Sequence, residues 1–319
     1  MNHSILILLP LPDAMKVSLR AVAPLATFVY ETEETVTKEQ LEDCEILFCY
    51  PSPSLVKRAK NVKLVQLMSA GYNPFLPKDA LRDGVKLCCA IGAYGEPVAQ
   101  HAFATVLSLM KRLPWYHDNQ AKKVWESMGN VMDMYGKTYL VAGFGDLGST
   151  FAKLVKPFSS TVIAVVRNPR ERELADVTIP LSKMGEYIGQ ADVVVNCLPE
   201  MSETKNIFDK EMLAKMKDQA IFVNVGRGSA MDLEAVCEAL KTGKLFGAGL
   251  DVFPQEPLPP THEVWTLPNV LLTPHVSGGL QMPSTLGKVV NILKENIRRY
   301  YANEPLHNEV DRENESVKR

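Results

Sequence analysis

YLVAGFGDLG, residues 139–148, decides the fold of the second half of this chain. A short apolar run leads into Gly143-Phe144-Gly145-Asp146-Leu147-Gly148, a G-x-G-x-x-G turn, and a helix-like run over 147–157 follows. The glycine spacing alone is a weak signal. Its place between a strand and a helix gives it meaning. The first glycine permits a tight turn, the second lets the backbone approach a pyrophosphate, and the third lets helix and strand pack closely. Phosphates would sit over the helix N-terminus, where free N–H groups and the helix dipole favour anions. The alternative is a glycine-rich turn with no ligand.

Working outward, more strand-like runs follow: TVIAVV (161–166), DVVVNCL (192–198), AIFVNV (220–225), FGAGLDV (246–252) and VLLT (270–273). Helix-like stretches over 182–189, 209–217 and 231–241 separate them. This predicts a six-stranded nucleotide-binding domain. Upstream, SILILL (4–9), ATFVY (26–30), EILFC (45–49), KLVQL (63–67) and VKLCC (85–89) alternate with helices over 13–23, 38–43, 54–60 and 75–82. The βαβα rhythm predicts a second parallel sheet covered by helices. Pro97 opens a helix from Val98 to Leu113, Pro114 ends it, and another helix covers 118–128 between Trp115 and Trp125. A last helix over 281–302 returns to the first unit, ahead of a charged tail expected to be disordered at its end. The predicted domains are 1–97 plus 285–319, and 98–284. The fold class is α/β with two Rossmann-like or flavodoxin-like domains.

Three side chains follow strand ends in the second half. Arg227 follows AIFVNV, Glu256 follows GAGLDVF, and His275 closes VLLTPH. Open parallel sheets bind ligands at the carboxyl ends of their strands. A cation, a carboxylate and an imidazole there suit acid–base chemistry on a small carboxylated substrate. Beside a dinucleotide site, the trio suits hydride transfer to a ketone. His275 would protonate the oxygen, Glu256 would orient the imidazole, and Arg227 would hold the substrate carboxylate and polarise the keto group. Singly, each could be an ordinary turn or loop residue.

The strand after the glycine turn ends in Arg167-Asn168-Pro169-Arg170. An NAD-preferring site would carry Asp or Glu there, about 20 residues on, for the ribose 2′-OH. A carboxylate repels a 2′-phosphate, whereas guanidinium binds it through charge-assisted hydrogen bonds. The loop therefore predicts NADP(H) in preference to NAD. The alternative is a solvated basic loop with NAD used anyway.

Composition bounds the rest. The 319 residues suffice for two cores, and the net charge of -2 gives no pull toward nucleic acid. The six cysteines show no zinc-ligand spacing, so no metal site is expected, and their apolar settings fit a reducing, cytoplasmic compartment. Ile5 to Leu9 reads as a strand rather than a signal peptide, with no basic segment before it and Pro10 after it. No stretch approaches the ~20 apolar residues of a membrane span.

The chain resembles the D-isomer-specific 2-hydroxyacid dehydrogenase family over nearly its whole length. The resemblance rests on SAGYN (69–73), EPVAQHAF (96–103), GFGDLG (143–148), NCLPEMSET (196–204), VNVGRG (223–228), GLDVFPQEPLP (249–259) and LTPHVSGG (272–279). It implies a two-domain enzyme with its active site in the interdomain cleft, and Arg227, Glu256 and His275 in the roles above. Ser69, Ala70 and Gly71 match a loop whose backbone N–H groups bind the substrate carboxylate. Asp251 matches a residue contacting the nicotinamide carboxamide. Cys197, Leu198, Pro199, Thr204 and Val225 match positions lining the cofactor, and Gly226 and Gly278 fall among them. The 167–170 loop resembles that of the NADPH-using glyoxylate/hydroxypyruvate reductases. The resemblance also suggests a homodimer joined through the dinucleotide domain.

The chain departs from the pattern at two points. Gln100 replaces a common Glu, and Gly226 replaces a commoner Ala or Ser, which the pattern tolerates. SAGYN lacks the extra basic residue of a phosphoglycerate dehydrogenase, and Glu256 argues against a formate dehydrogenase. Tyr50-Pro51-Ser52-Pro53, Met68, Tyr72 and Tyr94 are candidates to line the side-chain pocket, or equally ordinary core and hinge residues. The expected activity is NADPH-linked reduction of 2-keto acids to D-2-hydroxy acids. The alternatives are an NAD-dependent dehydrogenase working oxidatively, and a dinucleotide-sensing corepressor scaffold.

Overall fold

A computed structural model describes residues 4–50, 52–280 and 282–318; Pro51, one of the candidate pocket residues, lies outside them. In chain order the elements are β1 (Ser4–Ile7), α1 (Asp13–Val22), β2 (Thr27–Tyr30), α2 (Lys38–Asp43), β3 (Ile46–Cys49), α3 (Pro53–Arg58), β4 (Leu64–Leu67) and β5 (Lys86–Cys88). Next come α4 (Gly95–Met110), α5 (Leu113–Lys122), β6 (Thr138–Ala142), α6 (Asp146–Val155), β7 (Thr161–Val166), β8 (Val177–Pro180), α7 (Met184–Tyr187) and β9 (Val193–Asn196). The series ends with α8 (Lys210–Lys215), β10 (Ala220–Asn224), α9 (Leu233–Lys241), β11 (Leu245–Leu250), β12 (Val270–Leu272), α10 (Pro283–Tyr301), β13 (Val310–Asp311) and β14 (Ser316–Val317). Two compact units result, Met1–Tyr94 with Leu280–Arg319, and Gly95–Gly279.

The first unit holds a five-stranded parallel sheet in the order β2-β1-β3-β4-β5. β1, β3 and β4 are buried along their whole length, as strands covered by helices on both faces must be. The expected helix over 75–82 does not form. Two 3-10 turns, Asn73–Phe75 and Lys78–Ala80, stand in its place, because Pro77 supplies no N–H and blocks a continuous helix. The tail is ordered rather than loose. β13 and β14 pair antiparallel, and the Arg312 guanidinium donates to the carbonyls of Phe75 (2.7 Å), Pro77 (2.5 Å) and Lys78 (3.1 Å).

The second unit holds a seven-stranded parallel sheet, β12-β11-β10-β9-β6-β7-β8, one strand more than expected. The additional strand, β8, ends in Pro180 and lies at the sheet edge, where a missing N–H costs no ladder bond. Pro114 opens α5 instead of only ending α4. Arg112 in the left-handed region (φ 56°) breaks the chain between the two helices, and Pro fits the first turn of the second. Lys123, also left-handed (φ 57°), ends α5 well short of the expected 128. Strand order reverses beside β6, which pairs with β7 on one side and β9 on the other. The crevice at the carboxyl ends of β6 and β9 is therefore the place where such sheets take a ligand.

Candidate active site

The glycine turn opens that crevice. Gly143 has φ +89°, and an added Cβ would meet the Cys197 carbonyl at 2.8 Å. Its N–H donates to Val165 O (3.0 Å), while Cys197 N–H donates to Ala142 O (2.7 Å). A Cβ on Gly148 would meet Val141 Cγ1 at 2.8 Å and Gly143 O closer still. Gly145 differs. It is the N-cap of α6 without a side-chain cap, and a Cβ there would meet nothing within 4 Å. Open space above uncapped helix N–H groups fits a dinucleotide pyrophosphate. Phe144 is buried, and Asp146 and Leu147 begin α6.

Two fully buried asparagines shape the neighbouring loops. Asn196 ends β9 and Asn224 ends β10. Asn196 Nδ2 donates to Asn224 Oδ1 (2.9 Å), and Asn196 Oδ1 accepts from Leu198 N–H (3.1 Å). Asn224 Oδ1 also accepts from Gly226 N–H (3.2 Å), and its Nδ2 donates to Arg227 O (3.1 Å). The Val225 N–H donates to Asn196 O. Cys197, Leu198, Val225 and Gly226 are thus brought side by side. Gly226 is tighter than the family pattern suggests, since a Cβ would meet Leu198 O at 2.7 Å. Thr204 is spent on its own loop, donating to Pro199 O (2.7 Å) and accepting from Met201 N–H (3.0 Å). Arg167 follows β7 and reaches Met201 Sδ at 2.9 Å, so the basic loop lies against the 197–204 loop. Asn168, Pro169 and Arg170 are exposed beside it, with no carboxylate at the strand end.

Arg227, Glu256 and His275 line one cavity of about 250 Å³ with Glu200, Ser229 and Phe253. His275 Nδ1 lies 2.8 Å from Glu256 Oε2, and Glu256 Oε1 accepts from Phe253 N–H (2.9 Å). The carboxylate is thus fixed at one oxygen and holds the imidazole with the other, leaving Nε2 as the nitrogen for a substrate. Arg227 Nη1 donates to Gly226 O (2.7 Å). Glu200 and Ser229 were not singled out from sequence. Glu200 stood in view within NCLPEMSET, but nothing in the pattern aims it at this cavity.

Asp251 is 1% exposed. Oδ1 accepts from Thr273 Oγ1 (2.6 Å) and Val276 N–H (3.0 Å), and Oδ2 accepts from Ser277 N–H (3.1 Å). The His275 N–H donates to Asp251 O (2.8 Å). His275 itself has φ +53°, a strained conformation for a non-glycine residue. Asp251 is therefore first a clamp on the turn that carries His275; three of about four carboxylate acceptor sites are used. Gly278 follows that turn. Ser69, Ala70 and Gly71 lie in the first unit, just beyond β4. There Ser69 Oγ donates to Gly71 O (2.6 Å), Ala90 N–H donates to Ser69 O (2.8 Å), and Tyr94 OH donates to Met68 O (2.5 Å). Tyr72 OH donates to Glu315 O (3.1 Å), and Tyr50 is exposed. Among the described residues no cluster of His, Cys, Asp and Glu could hold a metal ion, and no helix is long and apolar enough to cross a membrane.

Comparison with known proteins identifies the family. Residues 103–277 match the family described as D-isomer specific 2-hydroxyacid dehydrogenase, NAD binding domain. A glyoxylate reductase of Korarchaeum cryptofilum is 30% identical, covering 86% of this chain and 85% of that protein. The crystal structure of a D-isomer specific 2-hydroxyacid dehydrogenase family protein from Aeromonas salmonicida is 30% identical. It superposes with a TM-score of 0.88, covering 98% of this chain and 100% of that one. An NADPH-dependent glyoxylate/hydroxypyruvate reductase from Sinorhizobium meliloti, solved in complex with NADP and sulfate, is 25% identical. Its TM-score is 0.81, with 98% and 99% of the two chains covered. With its glycine turn, strand-end trio and two parallel sheets, the chain belongs to the D-isomer specific 2-hydroxyacid dehydrogenases, enzymes that use a nicotinamide dinucleotide.

Proposed function

We propose that this protein is an NADPH-preferring reductase of small 2-keto acids, giving D-2-hydroxy acids. The observation that carries the reading is the 2.8 Å His275–Glu256 contact in one cavity with Arg227. Bound reduced nicotinamide would supply the hydride. The chain's own residues do the rest. Arg227 holds the substrate carboxylate and draws electron density from the adjacent carbonyl. The carbonyl oxygen gains negative charge as it is reduced, and His275 Nε2–H gives it a proton. Glu256 stabilises the imidazole while it carries charge and keeps its ring in place. Gly143–Gly148 would cradle the pyrophosphate, and Cys197–Pro199, Thr204, Val225 and Gly226 would line the cofactor. In the first unit, we read the Ser69–Ala70–Gly71 turn as an anion-binding turn.

The preference for NADPH is supported by the exposed Arg167–Arg170 loop without a carboxylate, and by the NADP bound to the Sinorhizobium meliloti relative. We further propose that two copies associate through the Gly95–Gly279 unit. A cytoplasmic setting suits the six unpaired cysteines.

The test is NADPH oxidation by the purified protein with glyoxylate, hydroxypyruvate, pyruvate and phenylpyruvate. Turnover with at least one is expected. His275→Ala should lower kcat by about 10²–10⁴, the usual contribution of a general acid, with NADPH affinity retained. Arg167→Asp should move kcat/KM toward NADH. A wild-type protein silent on all four substrates would sink the reading; unchanged cofactor preference in Arg167→Asp would sink its NADPH part.

A further inference from the structure

The turn that carries His275 is tied to a helix of the same unit through a second histidine. Thr273 Oγ1 lies 2.6 Å from Asp251 Oδ1 and 3.1 Å from His101 Nε2. A hydroxyl has one proton to give. The carboxylate can only accept, and its 2.6 Å separation is that of a charge-assisted O–H···O⁻ bond. The Thr273 proton therefore goes to Asp251. The hydroxyl's remaining lone pair faces His101, so Nε2 must carry a hydrogen and donate it. This fixes the role of a ring nitrogen that coordinates alone leave open. Either the neutral Nε2–H tautomer or the imidazolium satisfies it, so the network needs the N–H and not the charge.

The far end of the network is the reacting histidine. The carboxylate that Thr273 steadies also accepts the N–H groups of Val276 and Ser277, while the Asp251 carbonyl accepts that of His275. These bonds hold His275 at φ +53°, a conformation that persists only where its surroundings impose it. Without the His101 donor, the Thr273 hydroxyl can turn to other acceptors and release Oδ1. The turn then loses part of what holds the imidazole against Glu256.

We propose that His101, on α4, is a positioning residue for His275. It acts through Thr273 and Asp251 and touches neither substrate nor cofactor. The proposal rests on the reading of His275 as the proton donor. It assigns an activity role to a helical histidine that periodicity alone makes a half-buried packing residue.

The experiment compares His101→Leu, His101→Gln and His275→Ala in the full chain, using NADPH and the best keto acid. His101→Leu removes the donor. Its kcat should fall by about tenfold, the equivalent of one lost hydrogen bond of about 1.4 kcal/mol. KM and NADPH affinity should stay within about twofold, because neither is held by this network. His101→Gln places an amide N–H near the Nε2 position and should restore most of kcat, which a purely space-filling role would not do. If His101→Leu does not fold, Thr273→Val and Thr273→Ser replace it; Val should lose kcat and Ser recover it. Wild-type kcat in His101→Leu or Thr273→Val, equal losses in Leu and Gln, or a loss confined to KM would each overturn the proposal while His275→Ala stays inactive. Full activity of His275→Ala would instead overturn the functional reading itself.

Discussion

Gly145 and Gly148 belong to one turn, yet a methyl added to each meets different surroundings. At Gly145 it projects into open space, and the φ of −89° lies outside the left-handed region. At Gly148 it strikes Val141 Cγ1 and the Gly143 carbonyl. Gly148→Ala should therefore cost about 1–3 kcal/mol of stability, as overpacking does. Gly145→Ala should leave the thermal midpoint within about 1 °C of wild type but weaken dinucleotide binding by about tenfold or more. Calorimetry with a fluorescence titration of NADPH decides this; equal loss of stability in both variants would contradict the assignment. The candidate site was partly legible in the sequence at this scale. Arg227, Glu256 and His275 could be read because each follows an apolar run, and strand ends predict a shared edge. Asn196, Asn224 and His101 could not, because their partners lie 28 residues away for the asparagines and 172 for His101. A polar residue ending an apolar strand is the only trace the asparagines leave in the sequence.

The same difference between local and distant information separates the elements that were anticipated from those that were not. Strands buried on both faces announce themselves as apolar runs, and β6, β7, β9 and β10 stand close to where those runs predicted. Proline misled in two directions. Pro77 stops a helix that the 75–82 pattern favoured, and Pro114, expected only to end α4, opens α5. β8 escaped because it is short, polar on its approach and closed by Pro180. Its register depends on Asp176, the residue before it. The Asp176 carboxylate accepts from Val162 N–H (2.7 Å) and from Lys156 Nζ (2.8 Å), while its own N–H donates to Val162 O (2.9 Å). The Lys156 ammonium foremost, with the Val162 N–H, holds this carboxyl below its ordinary value of 3.8 despite some desolvation. A depressed carboxylate contributes stability above its unfolded pKa, about 3.9, and that contribution is lost as pH falls through the folded value. Asp176→Asn should thus be less stable than wild type near pH 7, on the order of 1 kcal/mol after discounting for exposure. The gap should begin to narrow below about pH 4 and close only as pH falls through the lower folded value. Urea melts at a series of pH values from 7 downward past that window give the answer; a gap that does not narrow with falling pH would remove the ionised carboxylate from the explanation.

At the scale of the whole chain, the sequence rhythm disclosed two α/β units, but not the ordered tail, because Arg312 finds its carbonyl partners more than 230 residues upstream. One further feature belongs to this scale. Between α4 and β6 the second unit exposes Leu113, Tyr116, Val124, Trp125, Val131 and Tyr135, with Trp125 as open as in an extended chain. Scattered apolar side chains on a surface are ordinary, whereas a contiguous exposed patch marks an interaction site, and these six fall within one segment. A second copy of the chain is the partner we propose, since most oligomers are closed homodimers whose interface is the same patch on both subunits. Exposed aromatic and aliphatic residues also suit the core of such an interface. Light scattering behind a sizing column should give about twice the monomer mass of 35.4 kDa at micromolar concentration. Trp125→Glu combined with Val124→Glu buries two carboxylates in each copy's half of that contact, a cost of several kcal/mol per charge. This double variant should run as a monomer while its sheet core, remote from the substitutions, keeps the far-UV circular dichroism of wild type. A wild-type protein that is monomeric at every concentration, or a double variant that remains dimeric, would rule this segment out as the interface.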